Sequence, residues 1–156
     1  ADLLFEQEVV AVGSPALLGD RAGALFPEEI GRFTLLNDAH DLWPEFIERA
    51  LDMTTPPPTK QVSFNQTSLA IDTAAAGQGL AVASRFLVEE DLRSRRLVQA
   101  FAATMRGGLA SYVITLRKPR QPKATENVRL WLLGQRVPGA LSDKGCSADR
   151  GGFSPP

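Results

Sequence analysis

Residues 62–97 constrain the fold more than any other part of this 156-residue chain. They predict a short strand, a polar turn at 65–68, a small-residue helix over 69–76, a Gly-x-Gly turn, a second apolar strand and an acidic helical turn. A helix that begins where a strand ends directs free N–H groups into a crevice, where they can bind a carboxylate or another acceptor. The segment therefore predicts a place that holds a ligand, without chemistry of its own.

The rest of the chain repeats short strands and helices. Residues 41–51 predict an amphipathic helix, because Trp43, Phe46, Ile47 and Ala50 share one face, and Asp41 is the expected N-cap. This alternation favours an α/β fold with a largely parallel sheet. The remaining expected elements are strands at 9–12, 33–36, 96–100 and 112–116, a flexible connection at 103–110, a helix at 127–135 capped by Thr125, and a disordered tail at 136–156.

Composition excludes several classes of function. The net charge of -1 gives no general attraction to nucleic acid or to an anionic membrane. Cys146 is the only cysteine, so neither an internal disulfide nor a cysteine metal cluster is possible, which suits a reducing compartment. The first residues do not resemble a signal peptide, and no apolar run is long enough for a membrane span. The chain reads as a fragment of a longer protein, in which no cofactor is expected.

The sequence contains no recognisable catalytic motif. His40 is the only histidine, and it is expected to be a solvated loop residue without a nucleophile to activate. Gly77 and Gly79 follow a helix and do not precede one, so they predict a helix end and a tight turn in place of a phosphate loop. The arginines at 93, 95 and 96 and the basic residues at 117–123 predict solvated faces, because no aromatic residues interleave them for nucleic-acid stacking.

Two features of the sequence are each compatible with either a ligand-binding role or a structural role. In the polar segment 65–68, the residues alone favour a helix cap, which is common and contributes only about 1 kcal/mol. Tyr112, the only tyrosine, begins a predicted strand. It can place its ring in the core with its hydroxyl at the sheet edge, or direct that hydroxyl towards a ligand.

An ordered series of motifs resembles the LysR-type transcriptional regulators, over residues 1–135. The series runs through FTLL at 33–36, Trp43, FNQTSLAIDTAAAGQGLAVASRFLVEEDL, RRLVQAF, SYVITL and VRLWLLGQ. It is similar to the later part of the effector-binding domain in that family, and most similar to its glycine-cleavage activator and β-lactamase regulator branch. Each motif alone is weak, whereas their order is more specific.

The resemblance implies a periplasmic-binding-protein-like (type II) lobe, with a mainly parallel sheet flanked by helices, plus part of a second lobe. Residues 1–12 would end the first lobe and form the first crossover strand. Residues 13–111 would form the second, effector-binding lobe, and residues 112–135 the second crossover strand and a helix that returns to the first lobe. Residues 136–156 would be the disordered tail.

The resemblance also implies how the chain works. A small-molecule effector would bind in the cleft between the lobes, without catalysis or a metal. The full-length protein would be a cytoplasmic homodimer or homotetramer that binds DNA through a winged helix-turn-helix domain outside this chain, and has no membrane partner. A solute-binding or transport-associated module of the same lobe design is the alternative. The implied effector-binding residues are Phe64, Asn65, Gln66, Thr67, Ser68 and Tyr112.

Overall fold

A computed structural model describes residues 1–135 and, at residues 107–109, the backbone alone. The disordered tail expected at 136–156 lies outside the described residues. The strands are β1 (Asp2–Gly13), β2 (Thr34–Asn37), β3 (Lys60–Ser63), β4 (Leu80–Ser84), β5 (Val98–Gln99) and β6 (Met105–Val113). The α-helices are α1 (Pro15–Leu18), α2 (Trp43–Arg49), α3 (Thr67–Ala75), α4 (Arg85–Arg93) and α5 (Pro122–Gly134), with 3-10 turns at Gly19–Arg21 and Pro27–Arg32.

The six strands form one mixed sheet in the order β3-β2-β4-β1-β5, with β6 also paired to β1. β2 is parallel to both β3 and β4, as the α/β pattern predicts, whereas β1 is antiparallel to β4 and β5. The antiparallel β1 could not be recognised from its sequence, because a strand buried on both faces has the same continuous apolar pattern in either direction.

Both faces of the sheet are covered. Val9 and Ala11 of β1 pack with Trp43 and Phe46 of α2 in one cluster of buried residues. Val10 and Val12 point to the opposite face, into a second cluster with Ala70, Ile71 and Ala74 of α3 and Val88 of α4. This two-sided burial explains the uninterrupted apolar runs at residues 9–12 and 80–83.

The helix and strand boundaries differ from the predicted ones where proline, glycine or tertiary packing intervenes. Asp41 does not cap α2: it has a positive φ of 46°, and Leu42 occupies the N-cap. α5 begins at Pro122, earlier than predicted and without capping by Thr125, because proline suits the first helical turn. The prediction of a flexible connection at 103–110 is wrong, since most of these residues lie in β6. There, pairing with β1 outweighs the weak strand propensity of Gly107 and Gly108.

The described chain forms two compact units. One consists of Glu6–Ser111 and contains α1–α4 and most of the sheet. The other consists of Ala1–Phe5 together with the chain from Tyr112, which includes α5. Within this second unit, Arg129 on α5 donates from Nε to Asp2 Oδ2 at 2.8 Å and from Nη1 to Glu126 Oε1 at 2.8 Å.

Candidate functional site

The candidate site lies at one edge of the sheet, where three parallel strands end. β2, β3 and β4 run in the same direction, so the residues that follow their carboxyl ends share an edge. Asn37 ends β2 and Asp38 follows it, Phe64 follows β3, and Ser84 ends β4. We call residues 64–68, which connect β3 to the first turn of α3, the α3 entry segment.

Backbone hydrogen bonding fixes the beginning of the α3 entry segment. The Phe64 N–H donates to the Asn37 carbonyl at 2.9 Å, which extends the pairing of β3 with β2 by one residue. The Phe64 side chain is half-buried against the α3 side of the core. Asn65 and Gln66 are exposed in the bend that follows, so their amide groups face solvent.

No side chain of the segment caps α3 in the way that the residues alone favoured. Gln66 occupies the N-cap in an extended conformation, at φ -135° and ψ 137°, but its side chain makes no capping hydrogen bond. The Ala70 N–H donates to the Gln66 carbonyl at 3.5 Å and begins the intrahelical pattern. The preceding N–H groups in the first turn have no acceptor within the helix, so they can bind an acceptor group of a ligand.

Thr67 is bonded to β2 and not to its own helix. Its hydroxyl donates to Asp38 Oδ2 at 2.5 Å, and the His40 N–H donates to Asp38 Oδ1 at 2.9 Å. Asp38 is 9% exposed and Thr67 is half-buried, whereas the neighbouring Ser68 is exposed. The segment therefore combines one hydroxyl in a fixed orientation with one at the surface.

Asn37 and Asp38 are not among the site residues that the sequence suggested, and only the structure places them at the site. The Asn37 side chain donates from Nδ2 to Gln61 Oε1 at 3.1 Å, and its Oδ1 is buried without a hydrogen-bond partner among the described residues. Leu35 and Leu36 pack on opposite faces of the sheet, so the strand alternation places Asn37 away from α3 and Asp38 towards it. Recognising that β2 and β3 are parallel neighbours would have pointed to Asp38.

Tyr112 belongs to the second unit, in β6, and is 56% exposed. Its ring is therefore not in a core, which removes the structural role that its sequence position allowed. A role for its hydroxyl in ligand binding stays a prediction.

The other features that the sequence suggested have structural roles. Gly77 follows α3 with a φ of +82°, and a Cβ on Gly79 would lie 2.2 Å from the Thr34 carbonyl oxygen, so the helix end and tight turn are confirmed. The exposed His40 uses its backbone N–H at the site. Arg96 forms ion pairs with both Asp72 and Asp91. The hydrogen bond to Asp72, followed by that to Asp91, raises the pKa of the Arg96 guanidinium.

Within residues 1–135, no group of three or more His, Cys, Asp and Glu side chains is arranged to hold a metal ion. None of the helices that the structure describes combines the length and apolarity of a membrane span.

Known regulators are similar to this chain in sequence. The chain is 30% identical over 123 residues to the HTH-type transcriptional activator AmpR of Enterobacter cloacae, an alignment that covers 77% of this chain and 42% of that protein. It is 24% identical over 132 residues to the glycine cleavage system transcriptional activator of Escherichia coli K12, covering 85% of this chain and 43% of that protein. The chain thus spans less than half the length of these relatives.

Solved structures show the same fold. The effector domain of AmpR from Pseudomonas aeruginosa superposes with a TM-score of 0.69 at 23% identity, covering 85% of this chain and 62% of that domain. The AmpR effector binding domain from Citrobacter freundii gives a TM-score of 0.68 at 24% identity, covering 85% of this chain and 65% of that domain.

The family model of the LysR substrate binding domain matches residues 1–136, most of the chain. Together with the α/β sheet described above, this match confirms the resemblance found in the sequence. The chain belongs to the LysR substrate-binding domain family.

Proposed function

We propose that this chain is the effector-sensing part of a LysR-type transcriptional regulator and that the α3 entry segment contacts the effector. The observation that carries the proposal is the arrangement at the edge of the sheet, where exposed Asn65, Gln66 and Ser68 flank a Thr67 hydroxyl that is held by Asp38. These groups are suited to hold a polar small molecule by hydrogen bonds.

Sensing requires only differential binding. A ligand that binds one conformation of the regulator more tightly than another shifts the population by that difference in affinity. No reaction is needed, so the chain acts as a binding module and not as an enzyme. Since the curated relatives are transcriptional activators, this reading is favoured over a transport-associated module.

The remaining parts of the proposal concern the whole protein. Residues 13–111 would be the second lobe, residues 1–12 and 112–135 would belong to the crossover strands and the first lobe, and Tyr112 would contribute a hydroxyl to the effector. Outside these 156 residues, a winged helix-turn-helix domain would bind DNA in a cytoplasmic homodimer or homotetramer.

Substitution of both hydroxyls in the α3 entry segment tests this function. In the full-length regulator, the Thr67→Val and Ser68→Ala double variant should lose its transcriptional response to inducing conditions and keep its affinity for operator DNA. Transcription from a reporter promoter and a DNA-binding titration measure the two properties. Thr73→Val is the matched control, since this hydroxyl lies on the same helix and donates to the Leu69 carbonyl at 2.6 Å. An unchanged response in the double variant would exclude the proposed contact.

A further inference from the structure

The orientation of the Asp38 carboxylate is fixed at both of its oxygens. Oδ1 accepts from the His40 backbone N–H at 2.9 Å, and Oδ2 accepts from the Thr67 hydroxyl at 2.5 Å. The residue is 9% exposed, so little water competes for these positions. Because hydrogen bonds to a charged acceptor are about twice as strong as neutral ones, the Thr67 hydroxyl proton is held towards Asp38.

This arrangement restricts what Thr67 can offer to a ligand. A hydroxyl has one proton and two acceptor lone pairs, and an ionised carboxylate can only accept. With the proton donated to Asp38, the Thr67 oxygen presents lone pairs alone.

We propose that Asp38 is a positioning residue that makes Thr67 a hydrogen-bond acceptor, so that the effector group bound there is a donor of the ammonium or amide N–H class. This inference rests on the proposed function of the α3 entry segment and adds the chemistry of the group it recognises. The negative charge of Asp38 strengthens the hydrogen bond from a donor to the Thr67 oxygen, whereas the free N–H groups in the first turn of α3 remain available to an acceptor elsewhere on the same ligand.

The first test needs no ligand. The Thr67 hydroxyl proton of the 156-residue chain should exchange slowly enough to give its own NMR resonance, with a nuclear Overhauser contact that reports a single orientation. The isosteric Asp38→Asn variant should lose this resonance or show several orientations. Rapid exchange with water in the unsubstituted chain would overturn the inference, whether or not the variant folds.

The second test uses two small probes of opposite hydrogen-bonding capacity, followed by the NMR shift of the Thr67 methyl group. Methylammonium can only donate, and trimethylamine N-oxide can only accept. Methylammonium should bind next to Thr67 in the unsubstituted chain about tenfold more tightly than in Thr67→Val, and Thr67→Ser should restore its binding. In Asp38→Asn, where the amide can donate to Thr67 and release its proton, the preference should turn towards trimethylamine N-oxide.

The outcomes separate this inference from the proposed function. Transfer of the Thr67 hydroxyl proton from Asp38 to trimethylamine N-oxide in the unsubstituted chain, seen as a shift of the hydroxyl resonance itself, would overturn the role of Asp38 and leave the effector contact intact. A probe preference that Asp38→Asn leaves unchanged would have the same meaning. Shifts by neither probe anywhere in residues 64–68 would count against both. Reversal of the preference is not expected from loss of packing alone, so it would support positioning by Asp38.

Discussion

Gly79 lies where β4 begins beside β2, too close to its neighbour for any side chain. A Cβ there would stand 2.2 Å from the Thr34 carbonyl oxygen and 3.2 Å from Leu36 Cγ. Gly79→Ala should therefore lower the free energy of unfolding by about 1–3 kcal/mol, since the backbone must move. Gly134→Ala is the control, because a Cβ added at Gly134 in α5 would have no atom of residues 1–135 within 4 Å. Equal urea midpoints for both variants would contradict the close approach.

Glu8 is a second residue whose surroundings give a measurable prediction. Burial raises its pKa, but hydrogen bonds from Arg106 and Thr104 and the charges of Arg85 and Arg106 outweigh burial, so the pKa of Glu8 is lowered on folding. A lowered pKa stabilises the fold above the unfolded-state value, and this contribution is lost as the pH falls through the folded-state value.

We therefore expect Glu8→Gln to destabilise the chain by up to about 1 kcal/mol at neutral pH, and by progressively less in acid. Chemical unfolding across an acidic pH series measures the difference. Glu48→Gln provides the control, since Glu48 is exposed and makes no ion pair within the described residues. A difference that grows as the pH falls would contradict the assigned direction.

At this scale, the sequence predicted the α3 entry segment but not its partner. Four consecutive hydrogen-bonding side chains between a strand and a helix are recognisable from their order alone. The bond from Thr67 to Asp38 joins residues 29 positions apart, and it depends on which strands are neighbours. In the sequence, Asp38 follows a predicted strand, which is a common position for an exposed turn residue. Its burial depends on the order of the strands in the sheet, which the sequence does not show.

At the scale of elements, α3 packs against the sheet through its smallest residues. Ala70 and Ala74 are 3% and 0% exposed and lie in the same buried cluster as Ala81 and Ala83 of β4. Small residues on both elements let the helix backbone come close to the strand, and this approach determines where the α3 entry segment lies relative to β2.

Enlarging this contact should displace the helix. Ala74→Leu is expected to cost about 1–3 kcal/mol through overpacking. Ala76→Leu is the matched control, because Ala76 is exposed at the C-cap of the same helix. Thermal unfolding compares the two, and similar midpoints would show that the helix can move outwards without cost.

The elements were predictable where periodicity was strong and local. The stripe of Trp43, Phe46 and Ile47 identified α2, and all three side chains are buried. β6 was missed over Gly107 and Gly108 because its pairing with β1 joins opposite ends of the chain, which no local pattern reports.

At the scale of the whole molecule, many of the exposed large apolar side chains among residues 1–135 belong to the second unit. Its exposed large apolar side chains are Leu3, Tyr112, Ile114, Leu116, Val128, Leu130 and Trp131. Such a concentration is typical of a surface that is covered in a larger assembly.

Tryptophan fluorescence can report on this surface, because Trp131 lies on it and the buried Trp43 provides an internal reference. Trp43 is 1% exposed and its indole N–H donates to the Leu36 carbonyl at 3.1 Å, whereas Trp131 is 62% exposed. Acrylamide should therefore quench one component of the tryptophan fluorescence and spare the other. Trp131→Phe should remove the quenchable component. If quenching of Trp131 weakens as the protein concentration rises, the exposed surface is being covered by a second copy.

The central position of β1 has a consequence for biosynthesis. Val12 pairs with Ala81 on one side and with Gln99 on the other. Both partners leave the ribosome long after β1, whereas β2, β3 and β4 can associate soon after they are made. Residues 9–12 therefore cannot complete their pairing until β4 and β5 have been made, and an apolar strand that waits unpaired is prone to aggregation during folding.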